Sequence, residues 1–136
     1  MKANQRATLA GRYQSDGMAM SSPQKLVVLM FERIRSDLET AAAAIAARSI
    51  EGAHIALLNA QDLVFELQMA LDDDAWEGAT DLRSIYDYLI GLLVEANVGK
   101  SAALVERCLE VVTPLAETWS VAYQRVQQEL TVAAAR

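Results

Sequence analysis

Apolar residues recur at intervals of three and four along most of this chain, which is the period of an amphipathic α-helix. The first such stretch starts at Ser22 and Pro23, an N-cap followed by a proline in the first turn, and continues to about residue 48. Strand-like alternation is absent from the sequence, and further helical stretches cover residues 51–72, 81–98 and 102–131. Short connections favour antiparallel neighbours. The sequence therefore predicts an all-α fold, an antiparallel four-helix bundle.

Breaks in the pattern divide the chain into three parts. Residues 1–20 lack a helical period, and their glycines predict a flexible N-terminal arm with room for one short helical turn over residues 8–13. A single helical-bundle domain is expected over residues 21–131. A short C-terminal tail is expected at residues 132–136. Ser101 is predicted to cap the fourth helix.

The second helix carries two apolar stripes, whereas a surface helix needs only one. A broad stripe within residues 53–71 is the expected core face. On the opposite side lie four apolar residues, here called the outer stripe: Ile55, Leu58, Phe65 and Met69. Either this helix is central and buried on both sides within the chain, or the outer stripe meets a partner. Phenylalanine and methionine are favoured at adaptable binding surfaces.

Composition narrows the kinds of partner. The chain has 136 residues, 53% of them hydrophobic, and a net charge of −6. That length fits one domain, and the negative charge opposes binding to nucleic acid and anionic lipid, which depends on clustered Lys and Arg. The single Cys108 fits a reducing compartment. No apolar run approaches the roughly 18 residues of a membrane span, so we expect a cytoplasmic protein without membrane insertion.

The residue patterns of catalytic and metal sites are missing from the predicted core faces. A di-iron bundle needs a Glu-x-x-His motif on each of two helices, whereas this chain has one histidine, His54. The acidic run at residues 72–74 lacks the glycine and terminal glutamate of a calcium loop. Cys108 falls within an apolar stripe and is expected in the core. We therefore expect no enzymatic activity, no catalytic residues, no metal and no cofactor.

Four segments follow one another in the order of a known family's motifs. They are a tyrosine at 13 with SSPQKLVVLMF at 21–31, NAQDLVFELQMAL at 59–71, IYDYLIGLLVEAN at 85–97, and a tryptophan at 119. The third is similar to a Leu-Tyr-x-Tyr-x-x-x-x-Leu-x-x-Ala-Asn signature. Together they resemble the flagellar secretion chaperone family, FliS, over residues 13–119. Each segment alone is weakly specific, and the four in order are strongly so.

The resemblance implies a chaperone that binds the disordered C-terminal segment of flagellin, prevents premature polymerisation and delivers flagellin to the flagellar export apparatus. An export-gate component is a further expected partner, and the client-free protein could form a homodimer. A helical adaptor for a different amphipathic client is the alternative. The arm residues Leu9 and Tyr13 are predicted to cover the binding groove. The groove is assigned to Ile55, Leu58, Gln61, Phe65, Met69, Tyr88, Leu92 and Asn97.

A few residues depart from the family pattern or shape the helix ends. Lys25 replaces the usual glutamate of a capping box. Gly91 should lower the helix propensity of the third helix by about 1 kcal/mol. Pro114 should kink the fourth helix, and Gly99 is expected to end the third as a left-handed cap. None of these changes the predicted fold.

Overall fold

A computed structural model describes residues 23–135 of the chain. Within this range no strand occurs, and the prediction of an all-α four-helix bundle is confirmed. The predicted arm, with Leu9, Tyr13 and the cap residue Ser22, lies outside the described residues. The helices are α1 (Pro23–Ala46), α2 (Ile50–Ala70), α3 (Ala79–Gly99) and α4 (Ala102–Ala134).

Each helix packs mainly against two others. Helix α1 lies against α2 and α4, and α3 lies against the same two helices. Helices that follow one another in sequence are therefore neighbours around the bundle, and α4 closes it against α1. The short turns at residues 47–49 and 100–101 lie at one end of the bundle, and the longer loop at residues 71–78 lies at the other. Each pair of neighbouring helices therefore has one side that faces the core and one side that faces away from it.

The core forms where the four inward faces meet. Cys108 is buried there, as its position in an apolar stripe predicts. Between α1 and α4, the rings of Phe31 and Trp119 stack with their centroids 6.4 Å apart. Burial of each large aliphatic or aromatic side chain stabilises the fold by roughly 1.5–3 kcal/mol. The largest fully buried side chains are Phe31, Ile34, Leu38, Leu57, Val64, Leu89, Leu93, Val105, Cys108 and Val112.

In the turn between α1 and α2, an arginine in the left-handed backbone conformation is followed by a serine that caps α2. Arg48 has a φ of 60°, and the backbone N–H of Ser49 donates to the carbonyl of Ala44 at 2.8 Å. This is the long hydrogen bond of a Schellman motif. The Ser49 hydroxyl then accepts from the backbone N–H of Gly52 at 3.2 Å, which caps α2. Gly52 thus belongs to the first turn of α2 rather than to the connection.

The turn between α3 and α4 repeats this arrangement. Lys100, with a φ of 46°, is the left-handed residue, and the Ser101 N–H donates to the carbonyl of Ala96 at 3.0 Å. The prediction that Gly99 would be the left-handed cap is wrong by one residue, since Gly99 is the last residue of α3. Ser101 caps α4 as predicted, because its hydroxyl accepts from the N–H of Leu104 at 3.2 Å.

Helix α4 passes Pro114 without ending and runs for 33 residues to Ala134, beyond its predicted end at residue 131. Proline removes one backbone donor from the helix, and here the residue lies at the exposed surface. The kink predicted at Pro114 stays a prediction. Beyond Trp119 the helix carries exposed apolar residues, among them Leu130 and Val132.

Candidate functional site

The outer stripe of α2 faces away from the bundle core. Ile55 is 51% exposed, Phe65 40% and Met69 85%, and Leu58 is half-buried. The opposite face of the same helix is buried, as the two-stripe pattern predicts. Within residues 23–135, α2 is therefore not a central helix covered on both sides. The rest of the described bundle leaves the apolar residues of the outer stripe exposed, as at surfaces that bind partners.

Polar side chains join α2 to α3 along one edge of the outer stripe. His54 Nδ1 lies 3.2 Å from Asn97 Oδ1, and Gln68 Nε2 donates to Asp87 Oδ1. These pairs place the start of α2 beside the end of α3, which makes the two helices antiparallel. Gln61 is seven residues from both His54 and Gln68, so it lies on the same edge of α2.

The side of α3 that meets α2 carries further apolar surface. Val94 lies seven residues from Asp87 and three from Asn97, so the helical period places it on the side of those two residues. Val94 is 42% exposed and Val98, four residues on, is 83% exposed. Gly91 lies between Asp87 and Val94 and is also exposed. Asp87, Gly91, Val94 and Val98 are here called the α3 strip. The outer stripe and the α3 strip together form the outer face.

Two predicted groove residues lie elsewhere on α3. Leu92 is five residues from both Asp87 and Asn97, about 140° around the helix from each. It is only 7% exposed and belongs to the core, so its assignment to the groove surface is wrong. Tyr88 is 51% exposed but lies on the flank of α3 that is turned away from α2. Sequence reasoning missed Val94 and Val98, because periodicity cannot say which flank of α3 meets α2.

The remaining predicted positions fall into two groups. Gln61 and Asn97 lie where α2 meets α3, beside the outer stripe. The predicted cover residues Leu9 and Tyr13 are outside the described part of the chain. The structure therefore brings six of the eight groove residues to one face: Ile55, Leu58, Gln61, Phe65, Met69 and Asn97.

The outer face belongs to the most acidic pair of neighbouring helices. Helix α2 carries Glu51, Asp62 and Glu66 and has no lysine or arginine. Helix α3 carries three acidic residues and a single basic one, Arg83. The Arg83 guanidinium lies 2.7 Å from the Asp73 carboxylate, and it also donates to the carbonyl of Leu71 at 3.1 Å. An apolar surface with this surplus of negative charge favours a partner that is apolar on one side and neutral or basic beside it.

The buried titratable groups of the bundle core serve packing. Burial raises the pKa of Tyr86 to about 12 and that of the Cys108 thiol to about 11, so both stay protonated at neutral pH. In residues 23–135 no three His, Cys, Asp or Glu side chains are grouped so that they could hold a metal ion. None of the four described helices is long and apolar enough to cross a membrane. The outer face, by contrast, can bind another molecule through apolar contact.

Comparison with known proteins decides the family. The family model described as flagellar protein FliS matches residues 5–126, which is nearly the whole chain. The chain belongs to the FliS family. The resemblance carried by the four sequence segments is thus confirmed.

Two curated FliS proteins are similar over most of their lengths. The flagellar secretion chaperone FliS of Bacillus subtilis (strain 168) is 24% identical over 117 residues, covering 86% of this chain and 87% of the relative. The flagellar secretion chaperone FliS of Salmonella typhimurium (strain LT2) is 29% identical over 101 residues, covering 73% of this chain and 75% of the relative. The family match over residues 5–126 includes both helices of the outer face and ends within α4.

Proposed function

We propose that this FliS-family protein is a cytoplasmic export chaperone that binds the C-terminal segment of flagellin on its outer face. Family membership supports a role in flagellar export. The observation that carries the location is the exposure of the outer stripe, where Ile55, Phe65 and Met69 lie opposite the buried face of α2. Covering these apolar side chains with a second apolar surface is favourable, because it removes their surface from water.

The outer face suits an amphipathic helical segment. Two antiparallel helices leave a shallow valley between them, and a helix can lay its apolar side into such a valley. Phe65 and Leu58 would form one wall, and Val94 would form the other. Each large apolar side chain that becomes fully covered contributes roughly 1.5–3 kcal/mol before the entropy of ordering the client is subtracted.

Binding of this kind explains how a chaperone could keep flagellin monomeric. A segment that would otherwise pack against other flagellin molecules is held on the chaperone, so its apolar side is unavailable for filament contacts. The complex would then present the client to an export-gate component. When no client is bound, a second copy of the chain could cover the same face, and we propose a homodimer as the client-free state.

A helical adaptor with a different amphipathic client is the second candidate. It is favoured by the same exposed stripe and differs only in the partner. The two functions are separated by affinity for flagellin, because an adaptor for another client would leave flagellin free.

Calorimetric titration of a flagellin C-terminal peptide from the source organism into the full-length protein tests the proposal. We expect saturable binding that is weakened by Phe65→Ala and unchanged by Val132→Ala, an exposed apolar residue on α4. Absence of binding to the wild-type protein would refute the flagellin assignment. Equal loss of affinity in both variants would refute the location on the outer face.

A further inference from the structure

Gly91 occupies the middle of α3, where glycine is unfavourable. A glycine in a helix interior is less stable than alanine by roughly 0.5–1 kcal/mol, because it loses more backbone freedom on folding. Gly91 is exposed and lies within a continuous helix from Ala79 to Gly99. Apart from its two chain neighbours and the nearby backbone of α3 itself, a Cβ atom added to it would meet no described heavy atom within 4 Å. Packing within residues 23–135 therefore does not require a glycine here.

Two other glycines are explained by contacts within the chain. A Cβ at Gly52 would lie 2.8 Å from the Ser49 hydroxyl, which caps α2. A Cβ at Gly78 would lie 1.9 Å from an atom of the Trp76 ring. Gly91 has no such neighbour, and unlike Gly99, which also has none, it lies in the middle of α3 rather than at its end. Contacts within the described residues therefore do not account for a glycine at this position.

The position of Gly91 indicates where a partner could come close to α3. It is the second residue of the α3 strip, with Asp87 one turn before it and Val94 one turn after it. The antiparallel pairing of His54 with Asn97 and of Gln68 with Asp87 sets the middle of α2 level with Gly91. The exposed side chain of Phe65 projects from that part of α2. Gly91 therefore forms a notch near the centre of the outer face, where no side chain fills the space between Asp87 and Val94.

We propose that the client helix packs closely against α3 at Gly91. The notch would then determine which client residue can lie over it. The separation of two packed helices is about 8–10 Å and is set by the side chains at their crossing. With no side chain at Gly91, the client backbone can approach to the low end of that range, and a small client residue fits at the crossing. This inference rests on the proposed binding of flagellin to the outer face.

A pair of matched glycine substitutions tests the inference. Gly91→Ala should raise the thermal midpoint of unfolding, because alanine favours the helix and meets no atom of the described bundle. It should nevertheless weaken binding of the flagellin C-terminal peptide roughly tenfold, and Gly91→Leu should weaken it further. The control is Gly99→Ala, since a Cβ at Gly99 also meets nothing within 4 Å but lies at the end of α3.

The outcomes separate this inference from the proposed function. A stabilised Gly91→Ala variant with weaker binding, beside a Gly99→Ala variant with wild-type affinity, supports the notch. Unchanged or tighter binding by Gly91→Ala, while Phe65→Ala loses affinity, overturns the notch and leaves the outer face as the binding site. Failure of the wild-type protein to bind the peptide overturns both.

Discussion

His54 Nδ1 lies 3.2 Å from Asn97 Oδ1, and this contact joins the start of α2 to the end of α3. The same amide oxygen accepts a hydrogen bond from Lys100 Nζ at 2.8 Å. The Asn97 side chain on α3 thus contacts both α2 and the turn that follows α3. With the Gln68–Asp87 pair at the other end, it holds the two halves of the outer face in a fixed register. A surface held in its binding shape loses less entropy when a partner docks.

We expect Asn97→Ala to lower the free energy of unfolding by about 1 kcal/mol, a typical net contribution of a hydrogen bond. Client affinity should fall as well, because the end of α3 can then shift relative to α2. Urea denaturation and calorimetric titration measure the two effects. Gln127→Ala, at an exposed position on α4, is the control. An Asn97→Ala variant as stable as the control would contradict the proposed role of this contact.

Phe65 and Met69 should contribute to client binding more than to folding. We expect Phe65→Ala or Met69→Ala to weaken client binding by roughly 1–3 kcal/mol, as central anchors do. Leu67→Ala, in the core of the same helix, should instead lower the free energy of unfolding by roughly 2–5 kcal/mol. Comparable destabilisation by all three substitutions, with client affinity unchanged, would count against the assignment.

The buried carboxylate of Asp37 should make the protein less stable as the pH rises. Desolvation raises the pKa of Asp37 above its ordinary value of 3.8, although Arg33 at 3.2 Å partly opposes this. Its Oδ2 atom has no hydrogen-bond partner among the described residues. The folded state therefore holds the proton more tightly than the unfolded state, and this stabilisation is lost as pH rises from 3.8 through the raised pKa.

The substitution Asp37→Asn removes this titration. We expect the variant to be more stable than the wild type at neutral pH, with the advantage shrinking as the pH falls towards 3.8. Denaturant unfolding across that range measures the difference. The control is Glu39→Gln, at an exposed position on the same helix. A variant that is less stable than wild type at neutral pH would mean that the ion pair with Arg33 outweighs desolvation.

Alkaline pH should destabilise the bundle through its buried thiol and phenol. Burial raises the pKa of Cys108 from 9.0 to about 11 and that of Tyr86 from 10.0 to about 12. Each group has a higher pKa in the folded state than in the unfolded state. The free energy of unfolding therefore falls as the pH rises from the unfolded pKa of each group to its folded pKa. Cys108→Ala should therefore show a shallower fall in stability between pH 9 and 11 than the wild type. Parallel curves would contradict the shift.

The N-terminal arm should compete with the client if Leu9 and Tyr13 cover the groove. Apparent affinity would then fall in proportion to the fraction of protein left open. We expect a flagellin C-terminal peptide to bind more tightly to a protein lacking residues 1–20 than to the full-length chain. Equal affinities would make the arm a bystander, and weaker binding by the truncated protein would mean that the arm contacts the client.

The sequence by itself determined the features that depend on positions along one helix. Three-and-four spacing defined four helices, and the period of about 100° per residue separated the buried face of α2 from Ile55, Phe65 and Met69. The hydroxyl of Ser101 could be recognised as a cap because the capping bond reaches only three residues along the chain. Local geometry suffices for each of these.

Only the tertiary structure decided how the helices face one another. Leu92 and Val94 are two residues apart and similar in character, yet one is in the core and the other on the outer face. The difference follows from the flank of α3 that meets α2, which contacts between distant parts of the chain determine. The left-handed residue is likewise Lys100 rather than Gly99, because the helix continues through Gly99 although glycine is the residue that most readily adopts the left-handed conformation. Periodicity defines a helix face, but only packing against a neighbour decides what that face meets.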